Sequence, residues 1–171
     1  IKVHDEMFPL DMAQNGDFHA DYHGQKSHYG VANLANVKSI ACQKGFAWRD
    51  EDAQRRLIIS TFNTSLGKPL TIINGYFPQG ENEKHETKYP AKREYYADLL
   101  QLLNDTFSVD DLVIVMGDIN ISAGDNDIGI GPVNAKRWLK QGKCSFLPEE
   151  RQWYKTLTDW GLVDSFRMFF P

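Results

Sequence analysis

Cysteine is scarce in this chain. Cys42 and Cys144 are the only two, about a hundred positions apart and with no Cys or His nearby at ligand spacing, so neither a disulfide framework nor a zinc knuckle is signalled. Both read as reduced structural thiols. No apolar run approaches the roughly 18 residues that a membrane-spanning helix needs, and the opening Ile1-Lys2-Val3-His4-Asp5 lacks the pattern of a signal peptide. The expectation is a cytoplasmic protein with no membrane partner. A blanket positive charge is missing too: 19 Lys and Arg stand against 23 Asp and Glu, a net charge of −4, with a pI near 5.7. That excludes the uniformly basic surface of a purely electrostatic nucleic-acid binder, though not local basic patches. The patterns G-x-x-x-x-G-K-[ST], G-x-G-x-x-G, G-x-S-x-G and H-E-x-x-H do not occur, which argues against P-loop, dinucleotide-binding, serine-hydrolase and zincin chemistry.

What is present, 42% hydrophobic and 25% charged residues in 171 positions, suits one globular domain over 1–171. Basic residues gather at Lys84, His85, Lys88, Lys92 and Arg93, and again at Lys136, Arg137, Lys140 and Lys143, while acids concentrate at 50–52 and 105–118. Each basic cluster by itself reads as a solvated helix face. The stretch from Asp5 to a stop at Asn15-Gly16 suggests a short amphipathic helix or turn pair. Three short strands follow between 17 and 46. Two β runs, 57–62 and 70–76, flank Thr64-Ser65-Leu66-Gly67-Lys68-Pro69 and predict a hairpin. Pro90 opens a helix whose Tyr96, Leu99, Leu100, Leu103 and Phe107 recur at helical spacing. The unbroken run Leu112-Val113-Ile114-Val115-Met116 predicts a strand buried on both faces and central in its sheet. A basic helix around Asn134 to Lys140 comes next, then one opened by Pro148-Glu149-Glu150 that aligns Trp153, Leu157 and Trp160. Strands interleaved with amphipathic helices make a layered α/β domain.

The strongest chemical signal is Met116-Gly117-Asp118-Ile119-Asn120, directly after the predicted buried strand. In extended backbone Asp118 and Asn120 project to the same side, at the strand's carboxyl end where open α/β sheets place their sites. A carboxylate there can take a proton from water while the amide holds an anionic oxygen; equally, Asp118 can simply cap the following loop. The second signal is Asn74-Gly75-Tyr76-Phe77-Pro78-Gln79-Gly80. Tyr76 and Gln79 can donate to a phosphate, with Lys88 adding charge, and a Tyr before Phe-Pro is also a common turn-packing aromatic. His28 beside Tyr29 is a weaker candidate.

Together the blocks resemble the exonuclease III family of bacterial DNA-repair enzymes, in the endonuclease/exonuclease/phosphatase superfamily. The resemblance rests on Lys2 to Pro9, Tyr22-His23-Gly24-Gln25-Lys26, His28-Tyr29-Gly30-Val31-Ala32, Asn74 to Gly80, Met116 to Ser122, and Lys143 to Arg151. It implies a four-layer α/β/β/α sandwich and a Mg²⁺ or Mn²⁺ cofactor. The implied partner is double-stranded DNA, cut at abasic sites or digested from 3′ ends. Carried over, it makes Asp118 the residue that activates water, Asn120 its neighbour on the phosphate, and Tyr76 a contact to the scissile phosphate. Gln79, Lys88 and Arg137, the last on the basic helix, become DNA-backbone contacts. Asp118 and Asn120 become metal ligands.

The departures are at the ends. The family's Asn-x-Asn-Gly strand and its principal metal-binding Glu belong before Lys2, and the Asp of its Ser-Asp-His pattern belongs after Phe166-Arg167, so the sandwich reads as incomplete at both ends. Asn33 stands where an apolar strand residue is usual. The resemblance therefore leaves three expectations open: a nuclease fragment carrying about half of its site and inactive alone, a non-catalytic DNA-binding remnant, and a phosphatase of the same superfamily. The full-length form is expected to be a monomer and the fragment to self-associate.

Overall fold

β-branched and apolar residues at 57–62 and 70–76 dictate extended backbone, and they form two paired strands. The computed structural model describes residues 1–50 and 53–170. Glu51 and Asp52, members of the acidic group at 50–52, and Pro171 lie outside the described residues. The chain divides into two compact units, one of Ile1–Tyr76 and Asp110–Ile119, the other of Phe77–Val109 and Asn120–Pro171.

In the first unit a short 3₁₀ turn at Asp5–Met7 and α1 (Leu10–Asn15) precede the strands, as the turn signals predict. β1 (His19–His23) and β2 (Val31–Ala35) pair antiparallel in a sheet of their own. β3 (Ala41–Lys44), β4 (Leu57–Phe62), β5 (Leu70–Tyr76) and β6 (Leu112–Asp118) form a second sheet in that order. β3, β4 and β5 pair antiparallel, while β5 and β6 run parallel. The predicted hairpin is β4 and β5.

The predicted position of β6 is corrected. Among the described residues β6 ends the order of its sheet, and Ile114 and Met116 are 46% and 48% exposed. The strand buried on both faces is β4, whose Leu57, Ile58, Ile59 and Ser60 are all buried. An unbroken apolar run states only that both faces tolerate burial; a neighbour on each edge and a layer on each face must deliver it.

Asn33 also finds its reason here. Its Nδ2 donates to Ser60 Oγ at 2.9 Å, and its Oδ1 accepts from Asn74 Nδ2 at 2.9 Å. Asn74 Nδ2 reaches Ala32 O as well, at 3.1 Å. Ser60 is fully buried, so a polar residue on β2 satisfies groups that an apolar one would leave unpaired.

The second unit carries the helices: α2 (Lys88–Thr106), α3 (Pro132–Lys140), α4 (Pro148–Trp160) and α5 (Ser165–Phe169). α2 starts two residues before Pro90, which a first-turn proline allows because its missing N–H would have no helical partner there. α5 carries no signal that the sequence reading used. Tyr89, Cys144 and Leu147 form a buried cluster with Trp153 against it, and Phe77 packs its ring on Tyr95 and Tyr96 at centroid distances of 4.8 and 5.0 Å. Burial pushes the Cys144 thiol up to about 12, so it is inert. Cys42, by contrast, is exposed rather than structural. No helix among the described residues is long and apolar enough to cross a membrane.

Candidate functional site

Tyr76 and Asp118 lie side by side as register partners at the carboxyl ends of the parallel strands β5 and β6. The pair one step earlier, Gly75 and Gly117, explains the close approach. A Cβ on Gly117 would lie 2.0 Å from Gly75 O, and its φ of 122° disfavours any other residue. Gly117→Ala is therefore expected to destabilise the protein by about 2–3 kcal/mol, read as a lower urea midpoint; an unchanged midpoint would show that the strand ends do not need this contact.

Tyr76 is held by a residue the sequence reading did not single out. Its N–H donates to Arg56 O at 2.8 Å, and its carbonyl accepts from Arg56 Nη1 at 2.9 Å. The Arg56 guanidinium carbon lies 3.8 Å from the Tyr29 ring centroid and 5.0 Å from that of Tyr76. A cation over two aromatic faces is attracted by both. Its sequence signal, an arginine directly before a buried apolar run, is too common to single it out. Asp118 is exposed on the same unit.

The spacing argument for Asn120 is corrected. β6 stops at Asp118, and Asn120 takes φ 52°, a left-handed conformation that asparagine tolerates better than most residues. Two-residue extended periodicity therefore does not govern where it points. Its Nδ2 donates to Phe77 O at 3.0 Å, and because a carbonyl can only accept, this bond fixes the orientation of the amide.

Gln79 and Asn120, both in the second unit, are brought together by their main chains. Lys92 Nζ donates to Gln79 O at 3.2 Å and to Asn120 O at 2.8 Å, and its remaining partner is the Glu150 carboxylate. Both charged side chains of that pair are 0% exposed. This overturns the reading of Lys92 as one charge of a solvated cluster.

Lys88 and Gln79 are engaged otherwise than expected. Lys88 Nζ pairs with the Glu81 carboxylate, whose titration its hydrogen bond holds below the usual carboxylate range. The Gln79 Oε1 accepts the Glu81 N–H at 2.6 Å. Lys88, Gln79 and Arg137 are all exposed. Among the described residues no group of three or more His, Cys, Asp or Glu side chains could hold a metal ion. Asp118 and Asn120 each bring the oxygen chemistry that a hard cation takes, and Mg²⁺ keeps several waters and needs only one or two carboxylates from a protein.

No family model matches the chain. Among curated proteins it is 53% identical, over all 171 residues, to the exodeoxyribonuclease III of Haemophilus influenzae, and it spans 64% of that protein's length. Among solved structures it resembles a 3′-5′ exonuclease, NExo, from Neisseria meningitidis, with TM-score 0.83 and 28% identity over 98% of this chain and 60% of that one. A structure of the 3′ phosphatase NExo bound to product DNA hairpin matches at 0.83 and 27%, over the same shares. An AP endonuclease from Archaeoglobus fulgidus matches at 0.83 and 26%, again over 98% and 60%. The likeness bears out the α/β sandwich class read from the sequence.

Proposed function

We propose that this chain, a homologue of exodeoxyribonuclease III along its whole length, is part of a DNA-repair nuclease that hydrolyses phosphodiesters through an activated water. The observation that carries the reading is the register pairing of Tyr76 with Asp118 on parallel strands, in a chain 53% identical to that enzyme. Asp118 accepts the proton of the attacking water, and the Tyr76 hydroxyl donates to a phosphate oxygen as charge builds there. Asn120 offers a second polar group to the phosphate, and Gln79, Lys88 and Arg137 contact the DNA backbone. The partner is duplex DNA with abasic sites or 3′ ends. A divalent cation, Mg²⁺ or Mn²⁺, belongs to this reading as the charge that offsets the phosphate oxygens; Asp118 and Asn120 are the donors this chain offers it. The 171 residues act as one partial domain of a cytoplasmic bacterial protein that is monomeric at full length.

The test is a graft in which these 171 residues replace the matching segment of the Haemophilus influenzae relative. It is expected to cut an abasic-site duplex only with a divalent metal, and to release no phosphate from a soluble inositol phosphate. A folded graft that binds DNA without cutting it would instead make this a binding module, and phosphate release would make it a phosphatase.

Lys88→Ala in that graft is expected to weaken DNA binding about three- to tenfold, equally across sequences, and to reduce the salt slope by about 1. The Lys88 pair with Glu81 is solvent-exposed, so a phosphate can displace it. Loss confined to particular sequences would show that Lys88 reads bases.

A further inference from the structure

Lys92 and Glu150 are ionisable residues buried outside the groups assigned to chemistry above. From α2, the Lys92 ammonium uses its three N–H donors on three acceptors: the carbonyls of Gln79 and Asn120 and the Glu150 carboxylate. Glu150, in the first turn of α4, spends its second oxygen on the Leu147 N–H at 2.9 Å. Gly80 lies close against this clamp. A Cβ on Gly80, which has φ 85°, would meet Lys92 Cδ and Cys144 Sγ at 3.0 Å each. The two carbonyls belong to the residues proposed to face the phosphate, and one of them, Asn120, holds a left-handed backbone that needs surrounding contacts to over-determine it.

We infer that Lys92, anchored by Glu150, is a positioning residue that sets the backbone of Asn120 and Gln79 and thereby aims the Asn120 amide. This inference deepens the nuclease reading and rests on it for its consequence in catalysis, although the clamp itself can be tested without turnover. Burying two charges is a costly way to tie helices together, and apolar replacements often do as well. Those replacements would supply no donor to two main-chain carbonyls. A compact ammonium can serve three convergent acceptors, whereas the planar guanidinium of arginine cannot present its donors in that arrangement.

The variant that separates positioning from stability is Lys92→Met with Glu150→Leu, which removes both charges and keeps apolar volume. In the 171-residue chain, ¹⁵N–¹H NMR is expected to show the Asn120 side-chain NH₂ signals shifting toward those of an exposed amide and exchanging with solvent at least about tenfold faster. The backbone amides of Leu99 and Leu103 are expected to keep their protection. Unchanged Asn120 signals would overturn the inference. If the double variant unfolds, Lys92→Arg carries the same test: a shifted Asn120 signal in a folded chain supports the clamp, and an unshifted one overturns it.

In the graft, the double variant is expected to lose roughly 10- to 100-fold in kcat, with KM for DNA within about threefold. In an Asn120→Ala background the same change is expected to cost little more, because the residue it acts through is gone. Parental kcat, or an equal loss in both backgrounds, would overturn the positioning role. An unmodified graft that fails to cut overturns the nuclease reading instead, and the amide signals then decide the clamp alone.

Discussion

Asp118→Asn in the grafted protein is expected to lower turnover by roughly 10²- to 10⁴-fold, the range for a positioned base, while DNA affinity stays level or rises. The substitution is nearly isosteric, so the register that sets Asp118 opposite Tyr76 is kept. What it removes is a proton acceptor and one negative charge. Losing the acceptor acts on the transition state; losing the charge next to a phosphate relieves repulsion in the bound complex. The two effects separate in single-turnover rates and equilibrium binding measured on the same abasic duplex. A near-parental rate would show that Asp118 only caps its loop.

Lys92→Met alone is expected to cost about 3–5 kcal/mol of stability, since it strips the partner from a buried carboxylate and leaves it uncompensated. Glu150 is 0% exposed, so solvent cannot take over. The Leu147 N–H bond and the Cys144 thiol remain, but two neutral donors do not balance a full charge. At about 2–4 °C per kcal/mol for a chain of this size, the thermal midpoint falls by roughly 10 °C. Circular dichroism melts of parent and variant measure it. A fall below about 2 °C would mean that the buried pair contributes little, and that the site's backbone is held by something else.

Local pattern made part of this protein legible. The β4–β5 hairpin, the helix opened by Pro148 and closed by Gly161, and the short strands before 46 all follow from signals within a dozen residues: apolar periodicity, turn chemistry and end caps. The chain's kinship was legible as well, because whole blocks such as Asn74 to Gly80 carry it in order. Asp118 and Tyr76 stood out as candidates through the same blocks, and through their place at strand ends, where the structure pairs them.

Tertiary structure decided what depends on partners far along the chain. Lys92 reads as one more surface cation beside Arg93, and Glu150 as an acid that favours a helix start, yet they meet across 58 positions with no solvent contact. Asn33 reads as an oddity on an apolar strand until Ser60 and Asn74 come to it. β6 looks central until the sheet order gives it a neighbour on one side among the described residues. The reason is common to all three. A sequence states which side chains can tolerate burial, charge or a left-handed turn, but hydrogen-bond partners and sheet edges are supplied by long-range packing, which converts a tolerated residue into a required one.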